Sequence, residues 1–69
     1  MLLTVKLPYE LLSPGEAASV LGLHPSTLEG WRRKGKGPPW LKLGPRNVAY
    51  RSDRLAEWLE MIERRPETQ

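Results

Sequence analysis

Apolar residues recur along this chain in two rhythms, and the places where the rhythm changes divide it into elements. Between Ala17 and Leu21, and again at Leu28 and Trp31, apolar positions fall three or four apart, the period of one helix face. Over 40–43 and 48–51 (WLKL and VAYR), short runs rich in strand formers are bounded by glycine and proline and predict strands. Leu55, Trp58, Leu59 and Ile62 then return to helical spacing at i, i+3, i+4 and i+7, the clearest stripe in the chain. The predicted order is helix, helix, hairpin, helix.

Start and stop signals sharpen these limits. Ser13 is a good N-cap, Pro14 suits the first helical position, and Glu16 stands where a capping box needs a carboxylate. The first helix is therefore expected over 14–21, with Ala17, Val20 and Leu21 facing inward. Small Ala17 and Ala18 would let another helix approach, and Gly22 would end the helix in the left-handed region. Pro25 opens a second helix and keeps the preceding residue out of helical geometry, which puts His24 near the N-cap. A structural or phosphate-contacting role suits His24 better than a catalytic one.

The second helix is expected over 25–34, stopping at Gly35. Leu28 and Trp31 would anchor it to the core. The opposite face would present Ser26, Glu29, Gly30 and Arg33, flanked by Thr27 and Lys34. Residues 36–39 (KGPP) read as rigid and extended. Residues 44–47 (GPRN) read as the turn of a hairpin with a basic tip, Val48 and Tyr50 pointing inward with Leu41 or its neighbours. Ser52 or Asp53 would cap the third helix, whose stripe packs on the core and whose outer face, Glu57, Glu60 and Glu63, is acidic. Residues 1–10 form a short strand (LTVKL, ended by Pro8) or an extended arm. The domain spans 11–64, and 65–69 is a frayed, disordered tail.

Sixty-nine residues allow one domain with a small core, for which Trp31, Trp40 and Trp58 supply volume. The absence of cysteine excludes a disulfide framework or thiolate metal site and fits a reducing cytosol. A single histidine cannot assemble a metal site alone, and no cofactor is expected. No apolar run is long enough to span a bilayer, so a soluble protein without a membrane partner is expected.

The net charge of +3 conceals a sharp asymmetry. Residues 1–30 carry Lys6 against Glu10, Glu16 and Glu29, a net −2. Residues 31–54 reach +7, with only Asp53 opposing Arg32, Arg33, Lys34, Lys36, Lys42, Arg46, Arg51 and Arg54. Residues 55–69 return to −2. A cationic block inside a folded region points to a polyanionic partner. Its glycines and prolines prevent it from forming one amphipathic helix on a membrane.

The fold class that follows is mainly α with a small β-hairpin, a winged helix-turn-helix of two helices, a two-stranded wing and a C-terminal helix. In that arrangement the second helix enters the major groove of double-stranded DNA. Arg33 is the best base reader, since a guanidinium pairs bidentately with guanine. Ser26 and Thr27 would bond phosphates or base edges at the helix N-terminus. Lys34, Lys36 and Lys42 would contact phosphates as point charges, and Arg46 would enter a narrow minor groove. Glu29 would accept a hydrogen bond from cytosine or orient Arg33. Gly30 would permit close backbone approach or simply weaken the helix. No Gly-rich phosphate loop, carboxylate cluster or nucleophile beside a base is present, so an enzyme is not expected.

The segments LLSPGEAASVLGLHPSTLEGWRRKGKGPPWLKLG and VAYRSDRLAEWLE carry a resemblance. Over about 11–60 the chain resembles the excisionase and AlpA-like group of small MerR-type winged helix-turn-helix proteins. The resemblance implies a recognition helix at 25–34 and a wing at 40–51. It also implies a phage or mobile-element excisionase, a recombination directionality factor that binds repeated sites cooperatively and bends DNA to favour excision by an integrase. A small prophage transcriptional regulator, or an assembly module that binds an integrase or packaging component, are the alternatives. The resemblance places DNA contacts on Ser26, Thr27, Arg32, Arg33, Lys42 and Arg46, in the host bacterial cytoplasm at the nucleoid. Relatives often carry basic residues where this chain has Glu29, Gly30 and Ala49, which implies a different target sequence or weaker intrinsic affinity.

Overall fold

The computed structural model describes residues 6–64. Most of the segment expected as an N-terminal strand, and the tail 65–69, lie outside the described residues. The elements in chain order are β1 (Leu11–Leu12), α1 (Pro14–Leu21), α2 (Pro25–Arg33), β2 (Leu41–Lys42), β3 (Val48–Arg51) and α3 (Ser52–Arg64). The chain is a winged helix-turn-helix, as its hydrophobic pattern predicts.

Local chemistry sets both ends of α1. The Ser13 hydroxyl accepts the Glu16 N–H at 3.1 Å, and the Glu16 carboxylate accepts the Ser13 N–H at 2.8 Å, a complete capping box. At the other end Gly22 takes φ 71°, a left-handed conformation that a side chain would disfavour. The N–H groups of Gly22 and Leu23 reach back to the carbonyls of Ser19 and Ala18. Only residues 22–24 separate the two helices, so α2 is turned sharply across α1.

The core is small: Ala17, Ala18, Leu28, Tyr50 and Leu55, with Leu12, Leu21, Trp31, Val48 and Trp58 packed around it. Ala17 and Ala18 are fully covered, which lets α2 seat Leu28 against α1. Complete burial of Leu28 contributes roughly 1.5–3 kcal/mol. The rings of Trp31 on α2 and Trp58 on α3 meet at 6.1 Å and 53°, a tilted aromatic pair that joins the two helices.

Several expectations are corrected. The sheet has three antiparallel strands in the order β1-β3-β2, not two. β1 pairs with the C-terminal half of β3 (Leu11 opposite Arg51, Leu12 opposite Tyr50), and β2 pairs with its N-terminal half (Leu41 opposite Ala49, Lys42 opposite Val48). As the central strand β3 is covered on both faces, so Ala49 is buried beside Tyr50, whereas Leu41 on the edge remains exposed. Val20 is 62% exposed although its helical spacing suggested burial, because α1 is covered along Ala17 and Ala18. Leu59 and Ile62 are also exposed: α3 runs past the small core after Trp58.

Ser52 and Asp53 are the first residues of α3 rather than a flanking cap. The Ser52 hydroxyl accepts the Glu10 N–H at 2.9 Å, and the Ser52 N–H donates to the Glu10 carbonyl at 2.9 Å, extending the β1–β3 pairing by one residue. The chain bends at Gly37 instead of continuing extended through 36–39.

Candidate nucleic-acid interface

Helix α2 is held from one side and open on the other. His24 is its N-cap: the ring Nδ1 accepts the Ser26 N–H at 3.2 Å and lies 2.8 Å from the Ser26 hydroxyl. Capping requires an unprotonated Nδ1, so this ring position serves the helix. At the C-terminus the Lys36 N–H returns to the Trp31 carbonyl at 2.9 Å and the Gly35 N–H to the Arg32 carbonyl at 3.2 Å. Gly37, at φ 90°, then lies directly on Trp31: a Cβ there would stand 2.8 Å from Trp31 Cε3. This contact aims the chain from α2 into β2.

The buried side of α2 consists of Leu28, Trp31 and Arg32. Arg32 departs from its expected placement. Its Nη1 donates to the Tyr50 hydroxyl at 2.9 Å, and its guanidinium carbon stands 6.0 Å from the Tyr50 ring centre. The side chain is half-buried and tethers α2 to β3.

The open side carries Ser26, Thr27, Glu29 and Arg33, all exposed, with Gly30 half-buried between them. Arg33 is 72% exposed, and its Nη1 lies 4.0 Å from the Glu29 carboxylate one turn earlier. That pair is weak and solvated. It leaves the guanidinium accessible. A Cβ on Gly30 would meet nothing within 4 Å.

Lys34 and Lys36 follow at the C-terminal end of α2, Lys42 lies on the edge strand β2, and Arg46 lies in the turn to β3. All four are exposed, and among the described residues none of their side chains makes an ion pair or hydrogen bond. Leu43 N–H donates to the Asn47 carbonyl at 2.8 Å and closes this turn.

The other two cations of the basic block are engaged, which charge counting alone does not reveal. Arg51 binds Asp53 through two hydrogen bonds, Nε to Oδ1 at 3.0 Å and Nη2 to Oδ2 at 2.6 Å, and stacks 3.8 Å over the Tyr9 ring. The Arg51 hydrogen bond, aided by the Arg54 N–H and opposed by partial desolvation, holds the Asp53 carboxyl below its ordinary value. Arg54 pairs with Glu57 at 3.3 Å. The local spacing of Arg51 and Asp53 was a readable signal for this fork; Tyr9, 42 positions away from Arg51, gave none.

Among the described residues, no helix is long and apolar enough to cross a membrane, and no three His, Asp or Glu residues are grouped to hold a metal ion. No curated protein and no solved structure matches the chain. A family described as "Helix-turn-helix domain" matches residues 11–62, from β1 to the last turns of α3. With that match over most of its length, the chain belongs to the helix-turn-helix domain family and is a DNA-binding helix-turn-helix protein.

Proposed function

We propose that α2 enters the major groove of a specific duplex and that the β2–β3 wing lies along the adjacent backbone, with Arg46 reaching into the minor groove. The observation that carries this reading is the division of α2 into a fastened side, Leu28, Trp31 and Arg32, and an exposed side ending in Arg33. Arg33 reads a guanine; Ser26 and Thr27 meet phosphate or base edges; Lys34, Lys36 and Lys42 neutralise phosphates. Arg32 serves the interface indirectly, by fixing the orientation of the helix.

The biological role proposed is that of an excisionase, a recombination directionality factor of a phage or mobile element. Several copies bind repeated sites cooperatively and bend the duplex for an integrase in the bacterial host cytoplasm. The resemblance over 11–60 to the excisionase and AlpA-like, MerR-type proteins supports it. A small prophage transcriptional regulator is the second reading, supported by the same resemblance. A neighbouring integrase gene, and stimulation of excision in a reconstituted reaction, favour the first; control of a nearby promoter without either favours the second.

Duplex affinity against salt tests the DNA reading directly. Two or more neutralised phosphates give a slope of log K against log salt steeper than about −1.8. A flat dependence, unaffected by Arg33→Ala with Arg46→Ala, overturns it.

A further inference from the structure

The proposed DNA reading uses α2 and the wing, yet the molecule has a second surface of opposite character. Between α1 and α3 runs an open groove of about 250 Å³, lined by Leu12, Val20, Leu55, Ala56 and Leu59 together with the polar Glu10 and Ser52. Leu12 and Leu55 form its floor. Val20 on α1, at 62% exposure, and Leu59 on α3, at 40%, line it with apolar surface that the described chain leaves uncovered. Isolated exposed apolar residues are ordinary on a protein surface, but these converge on one concavity.

Glu10 lines it, and helical spacing puts further carboxylates near it. Glu16 lies one helical turn from Val20 on α1; Glu60 and Glu63 lie one turn from Ala56 and Leu59 on α3. All three are exposed, as is Glu10. No lysine or arginine occurs in residues 9–30 or 55–63, so α1 carries no basic residue and α3 carries none between Arg54 and Arg64. The rim repels nucleic-acid phosphates and anionic lipid, and it would repel the same rim on a second copy.

We propose that this groove docks a cationic amphipathic segment of a partner protein, whose apolar side chains fill the space between Val20 and Leu59 while its lysines or arginines meet the carboxylates. Helix-in-groove recognition of this kind uses apolar anchors at i, i+3 or i+4, and i+7. The chain would then carry two separate binding faces, basic for DNA and acidic for protein, and could hold both ligands at once.

The test uses the full chain, labelled for NMR, and a synthetic 14-residue helical peptide with leucines on one face and lysines on the other. Controls are a scrambled peptide of the same composition and a version with glutamate replacing lysine. The expected result is binding at least tenfold tighter than either control, with shifts centred on Val20, Ala56 and Leu59. Val20→Lys, at an exposed site, should weaken peptide binding tenfold or more, and Glu60→Lys with Glu63→Lys should do so independently. Both variants should leave duplex affinity within twofold. Equal binding of the scrambled peptide, or undiminished binding by both variants, overturns the proposal. So does a concentration-dependent dimer in sedimentation that Val20→Lys abolishes, which would assign the groove to a second copy. The peptide experiment contains no DNA, so its outcome and that of the salt titration are independent.

Discussion

Arg32 donates to the hydroxyl of Tyr50 at 2.9 Å, joining the last turn of α2 to the central strand, while its sequence neighbour Arg33 extends away from the fold. Two adjacent arginines of identical chemistry therefore have separable duties. Tyr50→Phe should lower stability by about 1 kcal/mol, measured as a shift in denaturant midpoint, because the guanidinium loses its acceptor. The salt slope of DNA binding should stay the same. Arg33→Ala should change stability by no more than about 0.5 kcal/mol. Its duplex affinity should fall by about 1–3 kcal/mol, with specificity relaxed at one base position. The reverse pattern would make Arg32 the DNA contact.

Gly30 and Gly37 predict opposite outcomes for the same substitution. Gly37 sits at φ 90° with Trp31 Cε3 only 2.8 Å from a would-be Cβ. Gly37→Ala must bear backbone strain and displace Trp31, and should destabilise by about 1–3 kcal/mol. Gly30 lies inside α2 with open space around it, so Gly30→Ala should stabilise by about 0.5–1 kcal/mol through helix propensity. Thermal unfolding of the two variants checks both signs. A loss of DNA affinity in the more stable Gly30→Ala would indicate that backbone and duplex approach closely there.

The capping box of α1 gives a third comparison. Ser13→Ala removes the acceptor of the Glu16 N–H and should cost about 1 kcal/mol. Glu16→Gln keeps an oxygen for the Ser13 N–H and should cost much less. Equal losses in urea denaturation would show that the charge of Glu16, and not its geometry, stabilises the helix start.

Acid should act through Asp53. Its carboxyl is depressed by the hydrogen bond from Arg51, so the folded state favours the ionised form. A depressed folded value means that the contribution is present above the ordinary 3.8 of the unfolded chain and is lost as pH falls through the lower folded value. Asp53→Asn should lack this component. The stability difference between wild type and variant, measured from pH 6 down to pH 2.5, should hold steady at first and then shrink below about pH 4. A difference constant across that range would show that the Arg51 fork contributes nothing to folding.

The parts of this protein that its sequence determines are those decided by neighbours a few residues away. Ser13, Pro14, Glu16, Gly22, Pro25 and Gly35 act through caps and turns within one helical turn, and the limits of α1 and α2 follow from them to within a residue. The cationic block and the exposed side of α2 are equally local, since a helix of known phase fixes which residues oppose Leu28.

Tertiary structure decided whatever depends on an approaching surface. Leu11 pairs with Arg51, 40 positions away, and that pairing makes a third strand where only a two-stranded wing was expected. Val20, Leu59 and Ile62 have the period of a buried stripe but stay exposed among the described residues, because so small a core is filled once Ala17, Leu28, Tyr50 and Leu55 have met. Arg32, Arg51 and Arg54 belong to the same run of positive charge as Arg33, yet Tyr50, Asp53 and Glu57 hold them. Periodicity specifies a direction around a helix; burial and pairing require another part of the chain to arrive there.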